Sequence, residues 1–138
     1  MHNHRVLTGK VVSGVNKASF FTQLDWVQEQ CSEKLGFRPY PGTLNLEISE
    51  ESLPELEALR KETGIGLIPP DPAFCAAKTL LLDIEGVTAA MIIPSEDVNV
   101  HGKNIVEILA PLRLKDALSI EDGSTVSVMI KEPDVSGE

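Results

Sequence analysis

The segment Tyr40-Pro41-Gly42-Thr43-Leu44-Asn45-Leu46-Glu47-Ile48 predicts a tight turn followed by a strand with two unlike faces. Proline and glycine favour the turn, because proline fixes φ and glycine accepts a positive φ. Polar and apolar residues then alternate, as they do in a half-buried strand. We therefore expect leucine and isoleucine to face the core, and Thr43, Asn45 and Glu47 to share the opposite face.

Further short β-rich segments lie on both sides of this strand. They are Leu7 to Gly14, Lys78 to Ile84, Val87 to Ile93, Asn104 to Pro111 and Thr125 to Ile130. Glu85-Gly86 predicts a hairpin turn between the second and the third of them. Six or so short strands without a regular βαβ alternation predict a mainly β fold with short helices, either a barrel or a compact α+β domain.

The helices and loops are predicted from spacing and from turn residues. Apolar residues recur at helical intervals from Thr22 to Leu35, before Gly36. Ser52-Leu53-Pro54-Glu55 has the spacing of a capping box and opens a second helix, whose acidic residues are predicted to be solvated. The proline-containing connection Gly64 to Phe74 is predicted to be irregular, either a lid or a plain loop. Arg113 to Leu118 predicts a turn or two of helix.

Length and composition predict one small domain. A chain of 138 residues with 42% hydrophobic residues can bury a core without disulfides or zinc. We predict a barrel domain over residues 1–130 and a flexible tail over residues 131–138. Cys31 and Cys75 lack the spacing of zinc ligands and are expected to be reduced. Because no long apolar run and no signal peptide is evident, we expect a cytoplasmic protein without a membrane partner.

The formal net charge is −9, which limits the partners that the chain can attract. Negative charge repels phosphate backbones, and no basic patch is evident, so we predict no nucleic-acid partner. A single nucleotide is still compatible with this charge. A divalent cation, a few basic side chains and backbone N–H groups supply positive potential at short range.

Three residues are candidates for metal binding and for acid–base chemistry. Thr43 and Asn45 offer a hydroxyl and an amide oxygen on one strand face, and both are hard ligands suited to Mg²⁺. The alternative is two polar residues on the wet side of a strand. Glu107 stands in an apolar strand, where burial would alter its proton affinity as in catalytic acids and bases. A carboxylate that points into water fits the same pattern.

Phosphate binding would need an uncommon device in this chain, because neither GxxxxGK[ST] nor GxGxxG occurs. Gly14 opens a loop, ending at Ser19, whose backbone N–H groups could face a phosphate; an ordinary turn is the alternative. Arg113 and Lys115 follow Pro111 and either contact phosphate or solvate a short helix.

Four segments resemble, in order, the archaeal CTP-dependent riboflavin kinase family, formerly a domain of unknown function. They are Gly9 to Gly14 with Phe20-Phe21, Leu35 to Leu46, Ile92-Ile93-Pro94 and Val106 to Lys115. They cover most of the chain, and the segment that ends in Gly42-Thr-Leu-Asn-Leu46 is the most specific. The resemblance implies a six-stranded cradle-loop β-barrel. It also implies transfer of a phosphoryl group from CTP to the 5′-hydroxyl of riboflavin, giving FMN and CDP.

The resemblance also implies roles for individual residues. Thr43 and Asn45 would hold Mg²⁺, and Glu107 would contact the flavin near its ribityl chain. As a further hypothesis, Glu107 is the catalytic base for the ribityl hydroxyl. Asn99 is the predicted replacement for a flavin-binding threonine of the family. The nucleotide would be held by two segments, namely Gly14, Val15, Asn16, Lys17, Ala18 and Ser19, and Leu112, Arg113, Leu114 and Lys115.

One departure from the family bears on catalysis. Asn16 and Ala18 stand where the family's nucleotide loop carries glycines. Side chains thus occupy positions where the backbone should approach a phosphate closely. This difference favours an alternative function, a barrel that binds a nucleotide or flavin without turnover. The sequence leaves the preferred donor and the oligomeric state open.

Overall fold

Antiparallel strands close into a ring in this protein. The structure is a computed structural model that describes residues 5–13, 22–70, 77–94 and 104–131. Within these ranges the strands are β1 (Arg5–Val12), β2 (Leu44–Ile48), β3 (Ile65–Leu67), β4 (Ala77–Ile84), β5 (Val87–Pro94), β6 (Ile105–Leu109) and β7 (Thr125–Ile130). They pair in the order β3-β4-β5-β6-β2-β1-β7, and β7 returns to β4. The predicted six-stranded barrel is confirmed.

Strand β4 closes the ring because one of its edges serves two partners. Its first residues pair with β3, and Leu82 to Ile84 pair with β7. The N–H of Lys131 extends the second seam with a 2.9 Å bond to the carbonyl of Leu81. Strand β3 therefore lies outside the ring. The expectation that residues 64–74 are irregular is wrong for Ile65–Leu67, where three residues beside glycines give too short a pattern to predict.

The barrel interior is filled by alternate residues of the six strands. Leu44, Leu46 and Ile48 of β2 are buried, which confirms the predicted core face of this strand. Complete burial of one such side chain is worth about 1.5–3 kcal/mol relative to exposure. Gly9 lets β1 approach β2 closely, because a Cβ at this position would lie 2.8 Å from the carbonyl oxygen of Glu47.

Helix α1 (Asp25–Lys34) covers part of the outer barrel surface and falls within the helix predicted from Thr22 to Leu35. It forms a second core outside the barrel, in which Val27, Cys31, Leu35, Leu67, Ala90 and Leu109 are buried. The side chain of Gln30 pairs with both backbone groups of Ile68, at 2.6 and 2.8 Å. Lys34 donates to the carbonyl of Gly66 at 2.8 Å. The helix thereby protects the free edge of β3.

Helix α2 (Leu53–Arg60) follows a 3-10 turn (Glu50–Ser52), and Leu56 and Leu59 of this helix join the barrel core. The predicted capping box is wrong, because Ser52 makes no cap bond and its hydroxyl accepts the N–H of Thr8 at 3.1 Å. Glu55 is not simply solvated, since Arg5 donates to it at 2.8 Å. That bond, with a smaller contribution from Glu62, raises the pKa of Arg5.

Helix α3 (Leu114–Ala117) is one turn long and agrees with the short helix predicted after Pro111. Its Leu114 is buried in the barrel core. Of the predicted tail, only Lys131 falls within the described residues. No helix in the described ranges is long and apolar enough to cross a membrane.

Candidate functional site

Thr43, Asn45 and Glu107 come together on the outer surface of the barrel. Asn45 of β2 lies directly opposite Glu107 of β6 in the antiparallel register. Side chains in that relation have Cβ atoms about 4.5–5.5 Å apart. The hydroxyl of Thr43 donates to Oε1 of Glu107 at 3.0 Å. The structure thus unites residues that the sequence predicted separately as metal ligands and as a catalytic acid or base.

Glu107 is half-buried, so neither of the two sequence-based alternatives describes it fully. Its register neighbours are Asn45 on β2 and Ile92 on β5. Ile92 packs against the apolar cluster beneath α1. The carboxylate therefore lies at a boundary between a polar strand face and an apolar surface, and Thr43 supplies a hydrogen bond there.

The donor set of this cluster fits Mg²⁺. The Thr43 proton is directed to Glu107, so the lone pairs of the hydroxyl oxygen remain available to a cation. The amide oxygen of Asn45 is also a hard donor of the kind that Mg²⁺ prefers. The described residues contain no group of three or more His, Cys, Asp or Glu that could enclose a metal. A magnesium ion here would complete its coordination with water and substrate phosphates.

A pocket of about 270 Å³ adjoins this cluster. It lies where β2 begins and β6 ends, and Thr43 forms part of its wall. Its lining consists of Tyr40, Pro41, Gly42, Thr43, Leu44, Ile108, Ala110, Leu112, Arg113, Leu114 and Lys115. The whole predicted nucleotide segment from Leu112 to Lys115 therefore shares one pocket with a predicted metal ligand.

Both basic side chains of the pocket have acidic partners. Arg113 pairs with Asp116 at 2.7 Å, and Lys115 pairs with Asp122 at 2.9 Å. Asp122 also accepts a hydrogen bond from the hydroxyl of Ser13. The Ser13 hydrogen bond, followed by Lys115, lowers the pKa of the Asp122 carboxyl. A phosphate in the pocket would either share these cations with the carboxylates or displace the carboxylates.

Sequence reasoning missed Tyr40, Ser13 and Asp122 as parts of this region. Tyr40 lines the pocket and is 44% exposed. The sequence around Asp122 predicts only a turn, and Ser13 only the end of a strand. No local pattern connects them, because Ser13 and Asp122 are 109 residues apart in the chain.

Two further parts of the predicted site lie outside the described residues. These are Asn99 and the loop of Gly14, Val15, Asn16, Lys17, Ala18 and Ser19. The flavin contact of Asn99 and the nucleotide contacts of the loop remain predictions.

A closed antiparallel barrel with a polar cluster beside a pocket flanked by basic residues defines a small β-barrel domain with one candidate ligand site in its described part. Residues 11–130 match a family model named CTP-dep_RFKase, which is described as a domain of unknown function, DUF120. The chain belongs to this family.

Named relatives agree with that assignment. A riboflavin kinase of Methanobrevibacter smithii is 37% identical over 123 residues, which are 88% of this chain and 97% of the relative. A riboflavin kinase of Methanocella arvoryzae is 37% identical over 91% of this chain and 57% of the relative. One of Archaeoglobus fulgidus is 35% identical over 90% of this chain and 54% of the relative. The chain thus spans nearly all of the first relative and little more than half of the other two.

Proposed function

We propose that the protein is a riboflavin kinase that transfers the terminal phosphoryl group of CTP to the 5′-hydroxyl of riboflavin, giving FMN and CDP. The relatives are named riboflavin kinases, and the name of the family implies CTP. The observation that carries the proposal is the position of Thr43. This residue lines the pocket that contains Arg113 and Lys115, and its hydroxyl is bonded to Glu107. One side chain thus links the pocket, where the donor phosphates would lie, with Glu107, where the acceptor hydroxyl would lie.

The phosphates of the donor are assigned to the pocket. Its volume of about 270 Å³ lies just below the range of about 300–1,000 Å³ found for drug-sized ligands. It therefore suits part of a nucleotide. Arg113 and Lys115 would offset the phosphate charge, and a charged hydrogen bond to phosphate is stronger than a neutral one. Phosphoryl transfer requires mainly alignment and charge neutralisation, which these residues would help to supply.

Thr43 and Asn45 would hold Mg²⁺ between the two parts of the site. A bound Mg²⁺ would neutralise charge on the phosphates and align the terminal one. Thr43 can serve as a ligand without losing its bond to Glu107, because its proton and its lone pairs point in different directions. The same bond fixes the side chain in one orientation.

Glu107 would receive the proton of the ribityl hydroxyl. A carboxylate accepts several hydrogen bonds, so Glu107 can bond Thr43 and the hydroxyl together. The ribityl oxygen forms a bond to the terminal phosphorus as its proton passes to Glu107. The bond from that phosphorus to the bridging oxygen breaks, and CDP leaves with the electron pair. Ile92, next to Glu107, offers an apolar surface suited to the flavin ring.

Calorimetric titration with CTP, with and without Mg²⁺, tests the metal site. We expect Mg²⁺-dependent binding that Asn45→Ala and Thr43→Ala each weaken by about tenfold or more, the scale of losses when a metal site is damaged. Thr8→Ala is the matched control. Thr8 is also a threonine on the outer surface, hydrogen-bonded across strands to Ser127 at 2.8 Å. Equal losses for all three variants would refute a metal site at Thr43 and Asn45.

Incubation with riboflavin, Mg²⁺ and each of the four nucleoside triphosphates tests the reaction. We expect FMN to form fastest with CTP. FMN formation with ATP but not CTP would keep the kinase and contradict the donor. Nucleotide binding without FMN from any donor would establish the alternative, a binding module, which Asn16 and Ala18 in the loop favour.

A further inference from the structure

We propose that Thr22 and Gln28 form a clamp that positions the turn Pro39–Gly42, and through it the functional hydroxyl of Thr43. Neither residue lines the pocket, and both reach the turn from the side of helix α1. They are positioning residues, because they act on the site through the backbone. The effect on turnover rests on the proposed function; the effect on the turn does not.

The clamp holds the turn at both of its ends. Thr22 is 0% exposed, and its hydroxyl oxygen accepts the N–H of Gly42 at 2.8 Å. The Gln28 amide donates to the carbonyl of Pro39 at 2.9 Å and to the carbonyl of Thr22 at 2.6 Å. Gln28 thus ties the start of the turn, and Thr22 ties its last residue.

A third bond fixes the turn from the other side. The N–H of Tyr40 donates to the carbonyl of Ala110, just beyond β6, at 2.7 Å. The turn is therefore hydrogen-bonded on one side to Thr22 and Gln28, at helix α1, and on the other side to the end of the strand that carries Glu107. Gly42 has a φ of +104°, a conformation that side chains rarely adopt, and it is followed at once by Thr43. Its N–H bond to Thr22 selects this conformation, from which the chain enters β2.

Helix α1 has contacts with the rest of the protein other than the clamp. Helix α1 is held on the barrel by its own apolar core, which includes Val27 and Cys31. Gln30 and Lys34 bond the helix to the edge of β3. The Thr22 hydroxyl and the Gln28 amide instead bond the segment before Thr43, at Gly42 and Pro39, and Gln28 is also bonded to the carbonyl of Thr22. A displacement of about 1 Å in a catalytic group can cost roughly a hundredfold in rate, so such a restraint affects function.

The variants Thr22→Val and Thr22→Ser distinguish the effect of the hydrogen bond from the effect of side-chain shape. Valine keeps the shape but removes the acceptor of the Gly42 N–H, whereas serine keeps the hydroxyl. We expect Thr22→Val to lower kcat for FMN formation by about tenfold and to raise the Mg²⁺ concentration needed for half-maximal rate. Thr22→Ser should retain most of the rate. A purely structural role would lower thermal stability without changing the Mg²⁺ requirement.

Gln28→Met and Gln30→Met form a matched pair on one helix. Each loses two hydrogen bonds to backbone carbonyl or N–H groups. Those of Gln28 go to the carbonyls of Pro39 in the turn and of Thr22, whereas both of those of Gln30 go to Ile68. Gln30 also accepts a bond from Lys34, which stays within the helix. We expect Gln28→Met to behave like Thr22→Val, and Gln30→Met to keep the rate and the Mg²⁺ requirement. Because Gln28→Met loosens the same turn, it also tests the clamp if Thr22→Val does not fold.

A double-mutant cycle tests whether Thr22 acts through Thr43, and amide hydrogen exchange tests whether the turn itself loosens. If the clamp acts through Thr43, Thr22→Val should cause no further loss of Mg²⁺-dependent CTP binding in a Thr43→Ala background. The Gly42 amide should exchange with solvent faster in Thr22→Val and in Gln28→Met than in the wild type. The clamp would be overturned if the Gly42 amide exchanged at the wild-type rate in both variants. It would also be overturned if the losses of CTP affinity from Thr22→Val and Thr43→Ala were fully additive. Failure of the wild type to make FMN would refute the proposed function alone, since Gly42 exchange still judges the clamp.

Discussion

At the scale of single residues, the properties of Glu107 depend on what lies to either side of it. Asn45 and the hydroxyl of Thr43 provide polar contacts, and Ile92 provides an apolar one. A carboxylate in such a place can accept a proton from a substrate hydroxyl while remaining oriented by a protein donor. Orientation matters because a general base must lie within hydrogen-bond reach of the proton that it removes.

Glu107→Gln tests this role with little change of shape. The glutamine oxygen can still accept the Thr43 hydrogen bond, so we expect the fold to be kept. The rate of FMN formation should fall by about 10²–10⁴-fold, the usual contribution of a general base. Initial rates at saturating CTP and riboflavin measure it. Glu47→Gln, the same change on the exposed outer face of β2, should leave the rate nearly unchanged. A Glu107→Gln enzyme at nearly full rate would leave Glu107 as a flavin contact only.

We expect the contacts of Asp122 to make the stability of the fold depend on pH. The Ser13 hydrogen bond and Lys115 lower its pKa below the ordinary value of 3.8, so protons bind the unfolded chain more tightly than the folded one. Its stabilising effect is present above the unfolded pKa and is lost as the pH falls through the lower folded value. We expect Asp122→Asn to melt at a lower temperature than wild type at pH 7, with the difference shrinking in acid. Melting curves recorded from pH 7 down to about 3 measure the difference.

Ser13→Ala is the control for that mechanism. It removes the first cause of the Asp122 shift and leaves Lys115 in place. The variant should therefore show part of the Asp122→Asn effect, with the same dependence on pH. A gap between wild type and Asp122→Asn that stays constant from neutral to acidic pH would contradict the assignment.

The residues of the candidate site were predictable to different degrees. Period-two alternation alone placed Thr43 and Asn45 on one face, because neighbours two apart on a strand share a side. Their contact with Glu107 depends on which strand pairs with β2 and in what register, and local sequence contains neither fact. Thr22 shows most clearly what local sequence cannot predict. It was predicted only as the start of a helix, yet its hydroxyl bonds the N–H of Gly42.

At the scale of elements, helix α1 joins two functions, since its buried face packs on the barrel and Gln28 reaches the turn before Thr43. Helical periodicity predicts the first function because it depends on spacing along one element. The capping box at Ser52 was wrong for a related reason. Its spacing is correct, but the hydroxyl is used by Thr8, a residue 44 positions away. Local spacing predicts a cap correctly only when no distant backbone group bonds the same side chain, as Thr8 bonds the hydroxyl of Ser52.

Cys31 reports on the docking of α1. It is 0% exposed, and burial raises the pKa of its thiol to about 11. We expect no alkylation of the folded protein by iodoacetamide at pH 8, because the thiolate is the reactive form and little of it exists there. A Cys75→Ser background confines labelling to Cys31. Labelling in urea should follow the unfolding curve measured by Trp26 fluorescence, and rapid labelling without urea would contradict the packing of the helix.

We expect the same thiol to make the folded protein less stable as the pH rises above 9. The ordinary pKa of 9.0 applies in the unfolded chain, where Cys31 loses its proton first. Its contribution is therefore complete below pH 9 and is lost as the pH rises toward 11. A Cys31→Ala variant should show a weaker decline of melting temperature in this range.

At the scale of the whole molecule, closure of the barrel depends on contacts that local patterns do not contain. The six ring strands were predicted as segments, but the seam between β4 and β7 joins residues about 48 positions apart, such as Leu82 and Ile130. Alternation indicates that each strand has a buried face without indicating whether a sheet closes or stays open. The ring form was predicted from family resemblance, and the pairing of both edges of β4 confirms it.

The charge of the whole molecule bears on which phosphate-containing partners it can bind. The net charge is −9, and in the described ranges outside the pocket Arg5 is paired with Glu55 and Glu62, and Arg60 with Glu57. A phosphate backbone needs a row of available cations, since each neutralised phosphate contributes through counterion release. One nucleotide needs only a local site such as the pocket.

We therefore expect no mobility shift of single- or double-stranded oligonucleotides at about 50 mM salt, even at protein concentrations of tens of micromolar, where ordinary non-specific binders begin to shift DNA. Titration with CTP and Mg²⁺ in the same buffer is the internal control and should show binding. A shift that disappears as salt is raised would contradict the prediction, because it would require a basic surface outside the described ranges. Binding of CTP without binding of oligonucleotides would show that the positive potential of this protein is confined to a site the size of one nucleotide and does not extend along its surface.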